Sequence, residues 1–270
     1  MNRTAEALRE KLVSSIKSDA PMAVAYSGGV DSTTLVALAA EILPREQVLA
    51  IFVDAPQMKR TEKEEALSLL RERGIPYLEF SMDSFALEAF RENRRDRCYA
   101  CKRRMMEAVT EAARKAGFSK VADGQNADDA KDYRPGAKAA AELGVRSPFK
   151  ECGFTKEDVR ALAKELGLPV WDKPADSCLA TRFPYCTRLS AEKLRQVEAA
   201  EALLKARGFR EARVRVHEEL ARIEVPRSGF SAILKEEGLA DELRRCGFHY
   251  VTLDLEGYSR GRFDAEEEKQ

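Results

Sequence analysis

Short apolar runs alternate with amphipathic helical stretches between about residue 20 and residue 175 of this chain. The apolar runs, which resemble buried strands, are residues 22–26, 48–53, 77–80 and 121–122. The stretches with helical spacing between them are residues 31–42, 63–73 and 103–116. This alternation is typical of repeated βαβ units and predicts an α/β fold with a doubly wound parallel sheet. Because ligands of such sheets bind beyond the carboxyl ends of the strands, we expect the loops after Tyr26, Val53 and Ala122 to be functional.

A second, smaller domain is indicated by a change of pattern near Leu189. Ser190 can cap the helix that follows. Period two then appears in ARVRVHEELARIEVP, which predicts two strands around a short turn, and a strand-like alternation returns near the end of the chain. We therefore predict a first domain at residues 1–188 and a C-terminal α+β domain at residues 189–270.

Composition and charge narrow the class of protein. The chain has 270 residues, of which 44% are hydrophobic and 34% charged, as in soluble globular proteins. Lys plus Arg and Asp plus Glu both total 46, so no net charge favours nucleic acid or a membrane surface. The N-terminal segment lacks the apolar core of a signal peptide, and no apolar run approaches the roughly 20 residues of a spanning helix. We expect a cytoplasmic protein without a membrane partner, and a nucleic-acid partner is disfavoured.

The most specific local feature is AVAYSGGVDSTTLVAL, in which an apolar strand leads into a Gly-Gly loop and then a helix. Gly28 and Gly29 allow the backbone to approach a phosphate, Ser27 and Ser32 add hydroxyl donors, and the start of the helix presents free N–H groups. Asp31 beside an anion suggests a shared Mg²⁺. A plain tight turn is the alternative, but it explains only the glycines.

The hexapeptide SGGVDS resembles the PP-loop of the ATP-pyrophosphatase superfamily, and it lacks the GK[ST] ending of a Walker A loop. The resemblance implies that ATP is split between its α and β phosphates and that AMP is left on a substrate oxygen. A sulfur nucleophile can then displace AMP. Asp31 is the expected Mg²⁺ ligand and a catalytic residue. The loop residues that the resemblance assigns to ATP are Ser27, Gly28, Gly29, Val30, Asp31 and Ser32.

Four further segments resemble the LarE family. They are VADGQNADDAKDYRPG at 121–136, SPFKECGFTKEDVRALAKELGLP at 147–169, SCLATRFPYCTRLS at 177–190 and the closing YVTLDLEGYSRGRF. The resemblance extends over nearly the whole chain and implies the PP-loop, adenine nucleotide alpha hydrolase-like fold. Members of the family thiolate pyridinium-3,5-biscarboxylic acid mononucleotide during biosynthesis of the nickel-pincer cofactor. The implied reaction proceeds from carboxylate through acyl-adenylate to thiocarboxylate.

The cysteines bear on the source of the sulfur, because the family contains two chemistries. In the sacrificial type, the cysteine that matches Cys178 gives up its sulfur and becomes dehydroalanine. In the other type, three cysteines hold a 4Fe-4S cluster whose fourth iron carries an exogenous sulfide. This chain has Cys98 and Cys101 in a Cys-x-x-Cys pair besides Cys178, and thiolate is the preferred ligand of such clusters. We therefore expect the cluster type, with these three cysteines as ligands.

Other interpretations of the cysteines stay open. A structural zinc site at Cys98 and Cys101 would be expected to have four protein ligands, and a redox-active dithiol would lack its usual strand context. Cys186, eight residues after Cys178, is either a fourth ligand that closes the site or an uninvolved residue of a turn. The ligand set therefore depends on the role of Cys186.

Further residues are assigned to the nucleotide and the substrate. Asp54 closes the second strand, where the backbone in this superfamily meets adenine, although an Asp there can equally cap or turn the chain. Gly124 follows a later strand at the same sheet edge and is expected to leave room for the nucleotide. Arg134 is the candidate for phosphate or substrate contact in the loop after the fourth strand. The family resemblance implies that Glu201, Arg213 and Arg215 hold a phosphate or metal near the site, and Arg182 is expected to join them. A polar strand face with a surface ion pair is the alternative for the residues of the second domain.

Three other functions compete with sulfur transfer to a small acid. A tRNA thiolase would be expected to carry a basic stripe, and an amidating synthetase would need a supply of ammonia. A nucleotide-binding sensor would explain the loop but not the three cysteines. We therefore predict an ATP-dependent sulfurtransferase that uses a small mononucleotide and a sulfide donor. By analogy with the family, we expect a trimer-based homo-oligomer.

Overall fold

The computed structural model describes residues 3–130, 135–174 and 176–258, which pack as two compact units. Unit 1 comprises Met1–Asp83 and Asp96–Ala175, and unit 2 comprises Ser84–Arg95 and Asp176–Gln270. Unit 2 therefore takes a segment, residues 84–95, from within the first half of the chain. It also includes residues 176–188, which the sequence pattern assigned to the first domain.

Seven strands and eleven α-helices are present in the described part of the chain. The strands are β1 (Met22–Tyr26), β2 (Val48–Asp54), β3 (Tyr77–Ser81), β4 (Lys120–Ala122), β5 (Arg213–His217), β6 (Leu220–Glu224) and β7 (Tyr250–Leu253). The helices are α1 (Arg3–Ser18), α2 (Val30–Ile42), α3 (Arg60–Glu72), α4 (Glu88–Arg91), α5 (Arg97–Lys115), α6 (Pro135–Glu142), α7 (Pro148–Cys152), α8 (Lys156–Glu165), α9 (Ala191–Ala206), α10 (Phe230–Ile233) and α11 (Leu239–Arg245).

Unit 1 is built on a four-stranded parallel sheet with the order β3-β2-β1-β4. Strand β1 is central, and its Ala23 lies opposite Leu49 on one side and Val121 on the other. The chain adds β2 and β3 on one side of β1 and then crosses to the other side with β4. The topological switch point therefore lies between β1 and β4, and a ligand cleft is expected at their carboxyl ends.

The two faces of this sheet bury separate apolar clusters. Val24 of β1 faces the cluster that α2 covers with Leu35, whereas the adjacent Ala23 faces the cluster that α5 covers with Val109. Alternate residues of a strand point to opposite faces, so a strand covered on both sides must be apolar throughout. This burial explains why β1 and β2 appear in the sequence as uninterrupted apolar runs. The prediction of an α/β fold with a parallel sheet is confirmed.

Unit 2 contains a three-stranded sheet with the order β5-β6-β7. β5 and β6 are antiparallel, and β6 and β7 are parallel. Helix α9 packs on this sheet, and Ser190 caps it as the sequence suggested, since its hydroxyl accepts a hydrogen bond from the Lys193 amide at 3.2 Å. The segment 84–95 adds Phe90, which is only 1% exposed and lies in the same core. In the described part of the chain, no helix has the length and apolar character needed to cross a membrane.

Candidate functional site

A pocket of about 270 Å³ opens at the switch point of the unit 1 sheet. The loop after β1 and the residues after β4 form its polar wall, and α5 with the ends of β1 and β2 forms its apolar wall. The volume is near the lower end of the roughly 300 to 1,000 Å³ typical of small-molecule sites. The polar lining residues are Ser27, Gly29, Asp31, Ser32, Lys102, Asp123, Gly124, Gln125 and Asp129.

The loop between β1 and α2 has the geometry of an anion cradle. The Ser32 hydroxyl accepts a hydrogen bond from the Ser27 amide at 3.1 Å and lies 3.1 Å from the Ser27 hydroxyl. Gly28 has a φ of +75°, and a Cβ there would lie 2.4 Å from the Cβ of Ala66 in α3. Gly29 is the N-cap of α2 with extended backbone, so the helix directs its first amides toward the loop. Both the backbone conformation of Gly28 and its contact with α3 therefore exclude a side chain at that position.

Gly124 permits a close approach within the protein itself. A Cβ at this position would lie 2.6 Å from the Ser32 nitrogen and 2.8 Å from the carbonyl carbon of Asp31. The missing side chain therefore allows the end of β4 to pack directly against the start of α2. Gly124 also lines the pocket.

Asp31, in the first turn of α2, has two polar partners from distant parts of the chain. Its Oδ1 accepts a hydrogen bond from the Asn126 side chain at 3.2 Å, and its Oδ2 forms an ion pair with Lys156, the first residue of α8. The helix start is fixed by a capping box in which Thr155 and Asp158 bond to each other's backbone amides. The sequence predicted neither Asn126 nor Lys156 as a site residue.

The acidic residues after β4 are held in an ordered turn. Asp123 accepts hydrogen bonds from the Ser147 hydroxyl at 2.8 Å and from the Gln125 side chain at 2.6 Å. Asp128 accepts from the Lys156 amide at 2.9 Å, and Asp129 from the Asn126 amide at 3.1 Å. The carboxylates of Asp128 and Asp129 therefore orient Lys156 and Asn126, the two residues that contact Asp31, in addition to facing solvent. Arg134, predicted to contact the substrate, lies outside the described residues.

Asp54, predicted as an adenine contact or a turn residue, forms ion pairs at the end of β2. Its carboxylate lies 2.8 Å from the Arg60 guanidinium and 2.6 Å from the Lys63 ammonium. Partial burial alone would raise the pKa of Asp54, but the bonds from Lys63 and Arg60 hold it below its ordinary value. These ion pairs therefore connect the start of α3 to the end of β2. Asp54 is not among the residues that line the pocket.

Cys98 and Cys101 lie one turn apart at the start of α5, on the same side of the helix. Cys98 is exposed and Cys101 is half-buried. The Gln57 side-chain amide donates to the Cys101 sulfur at 3.3 Å, which suits a sulfur that carries negative charge. The next residue, Lys102, lines the pocket. The cysteine pair therefore adjoins the wall of the proposed ATP site.

Unit 2 holds a buried cluster of arginines and carboxylates. The fully buried Arg182 donates from Nε to Glu201 at 2.7 Å, and from Nη2 to Glu201 at 3.0 Å and to Asp176 at 2.9 Å. Burial would lower the pKa of Arg182, but Glu201 and Asp176 raise it above its ordinary value. Arg182 is therefore a permanent cation neutralised by carboxylates of its own unit.

Arg213 and Arg215 lie on the same face of β5, as their spacing predicted. Arg213 forms an ion pair with Asp176 at 3.1 Å. Arg215 donates from Nε to Glu224 at 3.1 Å and from Nη1 to the Thr181 carbonyl at 2.7 Å. Burial lowers the pKa of Arg215 even though Glu224 opposes the shift. The three arginines predicted in this part of the chain therefore lie around the segment that contains Cys178.

Cys178 is exposed and directly precedes a 3-10 turn, Leu179–Arg182. Its carbonyl accepts hydrogen bonds from the Thr181 amide at 3.0 Å and the Thr181 hydroxyl at 2.8 Å. Cys186 is also exposed and has a φ of +62°. Within the described ranges, no group of three or more His, Cys, Asp or Glu side chains has the arrangement of a metal site.

Comparison with known proteins places the chain in a family. The profile of the NAD synthase family matches residues 1–121, which include the loop after β1. The pyridinium-3,5-bisthiocarboxylic acid mononucleotide synthase of Lactiplantibacillus plantarum is 38% identical over 254 residues, 94% of this chain and 92% of that protein. The chain belongs to the LarE family. An uncharacterized protein of Synechocystis sp. is 39% identical to this LarE-family chain over 244 residues, 89% of the chain and 91% of that protein.

A third relative of this LarE-family chain, an uncharacterized protein of Methanocaldococcus jannaschii, is 31% identical over 235 residues, 87% of the chain and 89% of that protein. The family resemblance predicted from the sequence is therefore confirmed. As a member of the LarE family, the chain is an ATP-dependent sulfurtransferase with a PP-loop.

The LarE-family site includes polar residues that sequence reasoning missed. Lys156 and Asn126 contact Asp31, and Gln57 contacts Cys101. The only available sequence signal was the capping pattern at Thr155, which marks the start of α8 but not what that start lies beside.

Proposed function

We propose that this enzyme adenylylates a carboxylate of pyridinium-3,5-biscarboxylic acid mononucleotide and converts it to a thiocarboxylate. The observation that carries the proposal is the SGGVDS loop at the switch point of the unit 1 sheet, where it forms one wall of a pocket. The relative from Lactiplantibacillus plantarum, named for the bisthiocarboxylic acid product, supports the choice of substrate.

In the first half-reaction, a carboxylate oxygen of the substrate attacks the α-phosphorus of ATP and pyrophosphate leaves. In the second, a sulfur nucleophile attacks the acyl carbon and AMP leaves, so that one C–O bond is exchanged for one C–S bond. The loop residues Ser27 and Gly29 bind the departing phosphates through hydroxyl and amide donors. Lys102 and Lys156 neutralise the negative charge that develops on them. Val30 and Ser32 complete the loop. Gly124 and Asp54 are the remaining residues proposed to lie near the bound ATP.

Asp31 is the proposed Mg²⁺ ligand. It is the carboxylate of the loop, it lines the pocket, and hard oxygen ligands are what Mg²⁺ prefers. Mg²⁺ bound there would offset the charge of the ATP phosphates. Binding of ATP and Mg²⁺ would replace the ion pair between Asp31 and Lys156: Asp31 would hold Mg²⁺, and Lys156 would move to a phosphate. Asp31 is in this sense a proposed catalytic residue, since it would act on the leaving group through the Mg²⁺ that it holds.

The sulfur is proposed to come through a 4Fe-4S cluster held by Cys98, Cys101 and Cys178. Two features of unit 1 suit such a cluster: the cysteines occupy one side of a helix, and the Gln57 amide donates to the Cys101 sulfur. A cluster with three protein ligands leaves one iron able to carry an exogenous sulfide. The alternative is that Cys178 gives up its own sulfur and is left as dehydroalanine.

The substrate phosphate is proposed to interact with the arginines of unit 2, Arg213 and Arg215, together with Arg134. Glu201 and Arg182, the remaining candidates from the sequence, already form an ion pair with each other. The high density of guanidinium groups in this unit supports the recognition of a mononucleotide. The protein is further proposed to be cytoplasmic, to form a trimer-based homo-oligomer and to receive sulfide from a donor.

Exchange of labelled pyrophosphate into ATP tests the first half-reaction. The exchange should depend on the pyridinium acid and on Mg²⁺, and it should be lost in Asp31→Asn. Exchange that depends on tRNA, or conversion of the acid to an amide when ammonia is supplied, would contradict the proposed function.

The source of sulfur requires a second experiment. Protein purified without oxygen should contain iron and acid-labile sulfide, and both should be lost in the double variant Cys98→Ser/Cys101→Ser. The matched control Cys246→Ser, a half-buried cysteine of unit 2, should retain both. Mass measurement after turnover should show Cys178 intact, whereas dehydroalanine at this position would establish the sacrificial mechanism.

A further inference from the structure

We propose that Arg182 is a positioning residue that holds the segment around Cys178 in place for sulfur transfer, and that it is not a ligand of the substrate phosphate. The inference rests on the proposed function, since it takes Cys178 to handle the sulfur. It concerns the second half-reaction only. It therefore makes a different prediction from the phosphate-binding role that the sequence suggested.

Every nitrogen of Arg182 already donates within unit 2. Besides the bonds from Nε and Nη2 to Glu201 and Asp176, Nη1 donates to the Ser177 carbonyl at 3.0 Å, to the Ser177 hydroxyl at 2.8 Å and to the Thr181 hydroxyl at 2.8 Å. The guanidinium has five N–H donors in a planar fork, and these acceptors occupy all three nitrogens. The side chain is 0% exposed. A phosphate could therefore reach Arg182 only by displacing one of these acceptors.

The acceptors of Arg182 lie on both sides of Cys178 in the sequence. Asp176 and Ser177 precede the cysteine, and Thr181 follows it. The Thr181 hydroxyl in turn donates to the Cys178 carbonyl at 2.8 Å. The backbone around Cys178 is thus fixed while the residue itself stays exposed. This arrangement suits a sulfur group that must meet a bound adenylate in one defined position.

Glu201 connects this turn to the core of unit 2. Glu201 is a buried residue of α9, and its carboxylate accepts from the Val214 amide of β5 at 3.2 Å in addition to Arg182. Glu201 and Arg182 therefore link α9 and β5 to the segment at Cys178 through hydrogen bonds. The planar fork is essential to this role, because lysine offers a point charge that cannot serve several fixed acceptors at once.

Arg182→Lys separates positioning from phosphate binding. The variant keeps a cation opposite Glu201, and Arg207→Lys is the matched control, since Arg207 also pairs with two carboxylates of unit 2, Glu236 and Glu242. We expect Arg182→Lys to retain acid-dependent pyrophosphate exchange with an unchanged KM for the acid. Single-turnover formation of the thiocarboxylate should fall on the order of 100-fold, as misplacement of a reacting group by about 1 Å costs. The control should leave both half-reactions unchanged.

Hydrogen exchange gives a readout independent of activity. The amides of Thr181 and Phe183 bond to carbonyls within the turn, and we expect them to exchange on the order of tenfold faster in Arg182→Lys, as loss of one such bond predicts. A raised KM for the acid with unchanged thiocarboxylate formation, or unchanged hydrogen exchange, would overturn the inference.

A milder variant covers the case in which Arg182→Lys does not fold. Thr181→Val removes the hydroxyl that links Arg182 to the Cys178 carbonyl and leaves the guanidinium and Glu201 in place. It should slow thiocarboxylate formation without changing pyrophosphate exchange, and an unchanged rate would count against the inference. Wild-type protein that shows no acid-dependent exchange would instead refute the proposed function, and the hydrogen-exchange comparison would still test the positioning role.

Discussion

Two adjacent glycines of the phosphate loop illustrate how one residue type serves two purposes. Gly28 has positive φ and no space for a Cβ, whereas Gly29 has a φ of −76°, and a Cβ there would meet only the Ser27 hydroxyl, at 3.5 Å. Any residue can adopt the backbone of Gly29 without strain. The packing of the loop therefore explains the absence of a side chain at Gly28, whereas at Gly29 the protein leaves room for one, and we attribute its absence to the proposed approach of the phosphates.

Alanine at each glycine should separate these purposes. Gly28→Ala should lower the free energy of unfolding by about 2 to 4 kcal/mol, because it combines left-handed strain with overlap at Ala66. Gly29→Ala should change it by less than about 0.5 kcal/mol. It should nevertheless weaken ATP binding on the order of tenfold, about 1.4 kcal/mol, because the new Cβ would occupy the approach to the phosphates. Urea unfolding and ATP titration measure the two effects, and equal stability of the two variants would contradict this assignment.

Ionisation of Tyr26, at the end of β1, makes the free energy of unfolding depend on pH in the alkaline range. Burial raises the pKa of Tyr26 to about 12, and its hydroxyl donates to the Ala66 carbonyl at 3.0 Å. Because the folded pKa exceeds the ordinary value of 10, this stabilisation is complete below pH 10 and is lost as the pH rises through 12.

Tyr26→Phe should therefore cost about 1 to 2 kcal/mol at pH 8, where a carbonyl loses its donor. At pH 11 the difference from wild type should shrink by about 1 kcal/mol, since only the wild type has this tyrosine to ionise. Urea unfolding at the two pH values measures the change. A difference that is the same at both would show that Tyr26 ionises as easily in the folded protein as in the unfolded chain.

At the level of elements, the site depends on two helix starts that meet. α2 provides Asp31 in its first turn, and α8 provides Lys156 as its first residue. The Asp31–Lys156 ion pair joins the two starts, and α2, whose N-cap Gly29 makes no side-chain cap bond, directs its first amides and its positive dipole end to the pocket. The pair of helix starts is thus suited to the phosphates of ATP.

Lys156→Met should raise the Kd for ATP roughly 10- to 100-fold, because it removes one charged hydrogen bond to phosphate. Stability should change by no more than about 1 kcal/mol, since the ion pair with Asp31 is partly exposed. Lys164→Met is the matched control: Lys164 lies on the same helix over the Trp171 ring, 4.7 Å from its centroid. Isothermal titration with ATP compares them, and equal affinities of the two variants would exclude a phosphate role for Lys156.

The local parts of this architecture could be predicted and the remote contacts could not. β1 and α9 follow from features contained in short windows: an apolar run that is buried on both faces, and a serine cap. The SGGVDS loop was recognised for the same reason. Lys156 lies 125 residues from Asp31, and its role depends on how α8 packs against α2, which no short window contains. The contact between Gln57 and Cys101, which are 44 residues apart, could not be predicted for the same reason.

The contacts of Arg182 show what residue type alone does not reveal. An arginine beside a predicted sulfur site suggests phosphate binding, but the charge of its neighbours decides what it is able to contact. Its partners Asp176 and Glu201 turn it toward its own unit. Burial and hydrogen-bond saturation are properties of the packed core, and they become visible only in three dimensions.

At the scale of the whole molecule, unit 2 is assembled from separate parts of the chain. Phe90 comes from residues 84–95, yet it packs with residues of α9 and β5. Its ring meets Phe85 edge-on, 5.4 Å between centroids. Asn93 adds hydrogen bonds to the carbonyls of Phe183 at 3.2 Å and Pro184 at 2.7 Å. The short segment therefore supplies both apolar and polar contacts to unit 2.

Phe90→Ala should destabilise unit 2 by about 3 to 5 kcal/mol, since Phe90 is fully buried there. Phe80→Ala is the control, a half-buried phenylalanine of β3 that packs in unit 1. Hydrogen exchange should show faster exchange of residues 176–258 in Phe90→Ala and of the unit 1 sheet in Phe80→Ala. Faster exchange confined to unit 1 in both variants would show that residues 84–95 do not belong to the core of unit 2.

The origin of Phe90 also orders events during synthesis. Residues 84–95 leave the ribosome before any other part of unit 2 has been made, so Phe85 and Phe90 have no partners from the C-terminal region at that moment. At usual rates of translation, the rest of the described chain takes roughly 10 to 30 s to follow. Until the C-terminal region has been made, the nascent chain therefore carries an apolar segment that a chaperone can bind.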